Sequence, residues 1–80
     1  MRKLSVTYMK LDQIKPYTNN AKKHPAEQVE QIKKSIEEFG FLDPVAIYGN
    51  GEIAEGHGRY IAAVELGLEE IPVILLDDNR

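Results

Sequence analysis

A single α+β domain with the element order βαββαβ is predicted by three features of the sequence. Two amphipathic helical stripes each run up to a glycine, short β-rich runs lie around them, and a Gly49-Asn50-Gly51 turn joins the middle pair of those runs. Eighty residues leave no room for a second core, so residues 1–80 are expected to form one domain. So short a chain buries only a modest fraction of its surface, which suits a piece of a longer protein or a partner-stabilised subunit. The polar end Asp77-Asp78-Asn79-Arg80 fits an excised piece.

Leu4, Val6 and Tyr8 alternate with Ser5, Thr7 and Met9, predicting a half-buried first strand whose apolar face is the first set. A short helical turn over Leu11 to Ile14 follows and stops at Pro16. The stretch from Tyr17 to His24 has no apolar period and reads as a loop long enough to do more than connect. Pro25 suits a helix start, and Val29, Ile32, Ile36 and Phe39 recur at helical spacing until Gly40. Val45 to Tyr48 and Glu52 to Glu55 flank the glycine turn and read as a hairpin. The second helix spans about His57 to Glu65 and stops at Gly67. Tyr60, Ile61, Val64 and Leu68 form its stripe, with Ala62 and Ala63 permitting close packing. The continuous apolar run of Pro72 to Leu76 predicts a buried last strand.

Composition narrows the function classes. With no cysteine there is no disulfide, no thiolate metal site and no cysteine nucleophile, and a reducing, cytoplasmic compartment is expected. The longest apolar run, Ile71 to Leu76, is interrupted by Pro72 and falls far short of the roughly 20 residues that span a bilayer. The alternation after Arg2 and Lys3 does not read as a signal peptide. A net charge of −3 argues against strong non-specific duplex binding. Between Asp12 and Glu27, however, Lys15, Lys22, Lys23 and His24 form an acid-free basic island. It reads either as a solvated lysine loop or as a surface facing an anion.

One stretch carries chemistry. A strand ending in Glu55, then Gly56-His57-Gly58-Arg59, then a helix, brings backbone N–H groups and the positive helix end to one spot. The glycines let backbone approach a phosphate, and Arg59 offers a planar fork of donors matched to phosphate oxygens. His57 could donate to a phosphate or orient a leaving group, since imidazole titrates near working pH. A plain helix cap with a solvated arginine is the alternative. On the first helix Gln28, Gln31 and Ser35 share a polar face that could line a pocket or simply meet solvent. Asp43-Pro44 reads as a turn opening the middle strand.

Taken in order, Asn20-Ala21-Lys22-Lys23-His24, Ser35 to Phe41, Pro44, Glu55 to Ala63, Leu66-Gly67-Leu68 and Ile71 to Ile74 resemble the ParB/sulfiredoxin-like domain. This is the ParB N-terminal, or ParB-like nuclease, domain, and the resemblance runs from about Leu11 to Leu76. It implies a small mixed sheet packed by helices. The nearest branch in appearance is the N-terminal domain of phage-type DNA modification methylases, where Gly-His-Gly-Arg stands in place of the Gly-Glu-Arg-Arg of partition proteins. A methyltransferase domain follows in such proteins, and this piece alone has no length for one.

The resemblance further implies a nucleotide site, CTP or ATP with Mg²⁺. Gly56, His57, Gly58 and Arg59 would hold phosphates, Asn20 and Lys22 would reach in from the loop, and Ser35, Gln28 and Gln31 would lie nearer the ribose or base. Two departures stand out: Lys22 occupies a position where related methylase domains usually carry arginine, and Glu55 one where they carry alanine. Glu55 could hold Mg²⁺ or serve as a base toward water, or be an ordinary surface residue. Sulfiredoxin chemistry, which relies on a cysteine in the phosphate turn, is not expected of a chain without cysteine.

Three function classes therefore stand at this stage. The first is a nucleotide-binding module that regulates or positions an attached DNA-modifying domain. The second is an enzyme at the same site: NTP hydrolase, nuclease or phosphotransferase. The third is a direct DNA-binding or interaction domain, homodimeric as the fold allows.

Overall fold

The computed structural model describes residues 5–16 and 25–76. The most apolar run of the chain becomes the middle of its sheet. The elements are β1 (Val6–Lys10), a 3-10 turn (Leu11–Gln13), α1 (Ala26–Phe39), β2 (Val45–Ile47), β3 (Ile53–Glu55), α2 (His57–Leu66) and β4 (Glu70–Leu75). They form a four-stranded mixed sheet in the order β1-β4-β2-β3. β4 pairs antiparallel with β1 and parallel with β2, so strands cover both its edges and its apolar run needs no polar alternation.

Pro72 sits within this interior strand, a place proline normally avoids. The register explains why it is tolerated. Leu11 N–H donates to Glu69 O at 3.0 Å, so hydrogen-bonded pairs alternate through Met9–Ile71 and Thr7–Val73, and Tyr8–Pro72 is a pair without bonds. On the other side the β2 ladder starts only at Val73. No ladder asks Pro72 for the N–H it lacks.

The hairpin β2–β3 forms as expected, with a register irregularity between Ala46 and Ile47. Tyr48 N–H donates to Glu52 O at 2.9 Å, Gly51 N–H to Tyr48 O at 2.9 Å, and Asn50 Oδ1 accepts from Glu52 N–H at 3.0 Å. The outer edge of β3 is met by the segment after the 3-10 turn, where Lys15 N–H donates to Gly51 O at 2.8 Å and Ile53 N–H to Lys15 O at 3.3 Å. These bonds deliver Ile14 into the core with Val45, Ile47, Ile53, Ala63, Ile71 and Val73.

Both helices end at their glycines. Gly40, at φ 88°, closes α1 by donating to Ile36 O, and Gly67, at φ 74°, closes α2. Pro25 stands one position before the helix, as the residue that caps α1. Lys33 ties the helices together, donating to Glu30 Oε2 at 3.0 Å on its own helix and to Glu65 Oε1 at 3.2 Å on α2.

Three side-chain expectations are corrected. The inner side of β1 belongs to Met9, which packs on the core, whereas Val6 and Tyr8 are 56% and 64% exposed. Alternation reports that a strand has two faces, and only the sheet decides which one the helices cover. Phe39, at the end of the α1 stripe, is 63% exposed. On α2 the buried face is Ala62 and Ala63, both 0% exposed, and Val64 is half exposed. α2 lies against both α1 and β2, and a small side chain is what allows so close an approach.

Candidate functional site

The end of β3 and the start of α2 build the site from backbone outward. Gly56 adopts φ 96° and ψ 27°, left-handed geometry that turns the chain from the strand into the helix. Tyr60 N–H is bonded to Gly56 O at 3.1 Å, the first i to i−4 bond of α2. The N–H groups of Gly58 and Arg59 lie in the turn before it, where a helix offers no intrahelical acceptor. Gly58 is buried, so this turn lies close against the rest of the domain.

Arg59 folds back over the same turn. Its Nη2 donates to Pro44 O at 3.2 Å, tying the guanidinium to the entry of β2. A Cβ at Gly56 would stand 3.0 Å from Arg59 Nη2, 3.4 Å from its Cζ and 3.3 Å from Val45 Cα. Glycine is therefore needed twice, for its backbone angle and for the guanidinium lying on it. Arg59 Nε is buried and has no acceptor among the described residues.

Beside Arg59 lies a concavity of about 150 Å³, lined by Ile32, Ser35 and Ile36 of α1, by Gly40, Leu42 and Asp43 of the following loop, and by Arg59. The predicted residues distribute around it unevenly. Ser35 and Arg59, distant in sequence, meet at this concavity. Gly56 and Gly58 form the helix start with Arg59, and Glu55 is exposed at the end of β3 just before it. His57 is only 6% exposed and meets Tyr60 edge-on at 6.1 Å, so its ring faces into the domain. Gln28 and Gln31 are exposed on α1 and do not line the concavity. Asn20 and Lys22, with the rest of the basic island from Lys22 to His24, lie outside the described residues.

Asp43 and the Pro44 carbonyl are what sequence reading missed, because Asp-Pro before a strand reads as a plain turn. The available signal was their position between the end of one helix and the start of a central strand, where loops carry ligands.

A phosphate group fits this arrangement. The helix N-terminus and the buried Arg59 Nε, unpartnered among the described residues, are what an anion with several acceptor oxygens would satisfy. A Mg²⁺ ion fits only as a companion of phosphates. No group of three His, Asp or Glu side chains gathers among the described residues, so Glu55 would supply one ligand and phosphate oxygens and water the rest. No described helix is long and apolar enough to cross a membrane.

Comparison with known proteins shows the family and the fold. The chain is 46% identical over 74 residues to the ParB-like nuclease domain-containing protein YnaK of Escherichia coli K12, covering 92% of this chain and 85% of that one. The fold is that of sulfiredoxin from Arabidopsis thaliana, with a TM-score of 0.83 at 19% identity over 94% of this chain and 88% of that one. It is also that of the C-terminally truncated chromosome-partitioning protein ParB of Caulobacter crescentus complexed with CTP-gamma-S. That match has a TM-score of 0.77 at 24% identity and covers 92% of this chain but 46% of that one. The family model of the ParB N-terminal domain matches residues 1–80, and this chain belongs to that family.

Proposed function

We propose that this domain binds a nucleoside triphosphate, its phosphates at the start of α2 and another part of the molecule in the adjoining concavity. The observation that carries the reading is Arg59, whose guanidinium lies on Gly56 at one side and lines the concavity at the other. A ligand with a charged tail and a compact head suits a site in which one cation serves both parts. The nucleotide in the Caulobacter ParB complex supports it, since that protein shares this fold.

In this reading Gly58 and Arg59 N–H groups and the helix end attract the phosphates, and the guanidinium, steadied by Pro44 O, presents its remaining donors to them. Glu55 would share a Mg²⁺ ion with the phosphates, the ion offsetting the repulsion between carboxylate and anion. Ser35 would donate to or accept from the ribose or base. The wider role is that of a cytoplasmic ParB-like module, homodimeric in its working form, that regulates or positions an attached DNA-methylating domain. The Gly56-His57-Gly58-Arg59 stretch, of the methylase rather than the partition type, supports that assignment.

The test is calorimetric titration of CTP, ATP and GTP with Mg²⁺. At least one should bind, and Arg59→Ala should weaken it. The reading is lost if none binds, or if Arg59→Ala leaves the affinity unchanged.

A further inference from the structure

The two edges of the sheet end differently. At β3 the segment after the 3-10 turn closes the edge, through Lys15 N–H to Gly51 O and Ile53 N–H to Lys15 O. At the other edge β1 pairs with β4, and among the described residues no strand lies beyond it. Register fixes which of its backbone groups are left over. Thr7 and Met9 bond across to Val73 and Ile71, so the N–H and C=O of Val6, Tyr8 and Lys10 point away from the sheet. The usual guards of an open edge are missing from this strand: β1 has no proline, its pairing with β4 has no bulge, and its one charge, Lys10, stands at its end. α2 lies against β2, two strands further in, and four of the five β1 residues are exposed.

We propose that a second copy of this chain pairs with β1, antiparallel and edge to edge, joining two sheets into one. The pairing rests on the homodimeric part of the proposed function, not on nucleotide binding. What selects a second copy is that the strand complements itself. With Thr7 on the two-fold axis, Val6 of each copy stands opposite Tyr8 of the other, and each such pair exchanges both of its N–H···O bonds. The side chains match in the same register. Each Val6–Tyr8 pair sets an aromatic ring against a β-branched side chain, and Thr7 meets Thr7, both favourable cross-strand pairs. Val6 and Tyr8 are 56% and 64% exposed in the single chain, so their apolar surface is available to be covered. Lys10 falls outside the overlap of Val6 with Tyr8, and no like charges are opposed. An edge of five residues covers less than the roughly 1,000 Å² of a stable interface, so the association is weak, with a Kd on the order of 100 μM.

The experiment uses the whole chain without nucleotide. Sedimentation equilibrium between about 20 μM and 1 mM should show monomer passing into dimer. Over the same range, amide exchange read by NMR should slow several-fold at Val6 and Tyr8 as concentration rises, because their N–H groups gain acceptors only in the dimer. Val6→Lys changes an exposed side chain, leaves the β4 ladder intact and should weaken dimerisation at least about fivefold. A dimer whose Val6 and Tyr8 amides exchange at a rate independent of concentration overturns this surface and leaves the homodimer standing. So does a dimer that Val6→Lys leaves equally tight. A chain that stays monomeric up to about 1 mM overturns both the surface and the homodimer, and leaves nucleotide binding untouched.

Discussion

Gly51 and Gly56 flank β3 at nearly the same backbone angle, φ 95° and 96°, and a Cβ would crowd its neighbours at both. What it would meet differs. At Gly51 the nearest atom is Gln13 O at 3.2 Å, backbone of the segment that closes the edge of β3. At Gly56 it is Arg59 Nη2 at 3.0 Å, the end of a side chain that also reaches the concavity. Both glycines make room for backbone, Gln13 O at 3.2 Å and Val45 Cα at 3.3 Å, and Gly56 makes room for a guanidinium as well. A shared φ therefore carries different meanings, and only the neighbours tell the two apart.

The largest expected effect removes that neighbour. Arg59→Ala should lower nucleotide affinity by roughly 10- to 100-fold, the worth of hydrogen bonds to a charged group, as read by calorimetry. Thermal or urea unfolding should register a smaller change, about 1 kcal/mol, for the lost bond to Pro44 O. An Arg59→Ala variant that unfolded but bound nucleotide normally while folded would make Gly56 a structural glycine like Gly51.

Gly51→Ala and Gly56→Ala form the matched pair. Each should cost about 1–2 kcal/mol in urea unfolding, since a Cβ is disfavoured in left-handed backbone. The folded fraction of Gly51→Ala should keep its nucleotide affinity, whereas Gly56→Ala should lose about tenfold as the guanidinium is displaced. Equal affinity in the two variants would erase the contrast.

Glu55→Gln sharpens the role of the strand that joins them. Without Mg²⁺ it should raise nucleotide affinity about two- to fivefold, the scale of an exposed charge interaction. With Mg²⁺ the gain should vanish if the carboxylate holds the ion. Phosphate release that Glu55→Gln abolishes would make the site an enzyme's.

The smallest effect lies in the clamp between the helices. The hydrogen bond to Glu30 first, and that to Glu65 second, hold the Lys33 pKa above its ordinary 10.5. A pKa raised in the folded state contributes stability that is complete below the unfolded value and fades as pH climbs through the folded one. Stability should thus decline slightly more steeply above pH 10.5 in the unaltered chain than in Lys33→Met, measured by urea unfolding.

Much of the architecture was legible in the residues. Gly40 and Gly67 stop their helices where expected, the Gly49-Asn50-Gly51 turn makes the hairpin, and the Gly56 turn leads from strand into helix. Less was legible about faces. The β1 alternation pointed to Val6 and Tyr8, yet the core takes Met9; around α2 Ala62 and Ala63 pack closely and Tyr60 and Leu68 lie on the core as expected, while Val64 of the same stripe is half exposed. At the site, Arg59 and its glycines stood out by type and spacing. Asp43 did not, because a carboxylate before a proline looks the same whether it faces water or a ligand.

Local chemistry sufficed for whatever depends on a residue and its near neighbours: glycine's access to positive φ, proline's effect on helix starts, the period of apolar side chains, and a guanidinium one turn into a helix. These are properties of short stretches of chain, and they survive whatever surrounds them. Tertiary structure alone decided which face of β1 lies inward, how an interior strand accommodates Pro72, and that Ser35, Asp43 and Arg59 border one concavity. Each of those depends on groups distant along the chain, and their proximity arises only when β4 enters between β1 and β2 and α2 settles against α1.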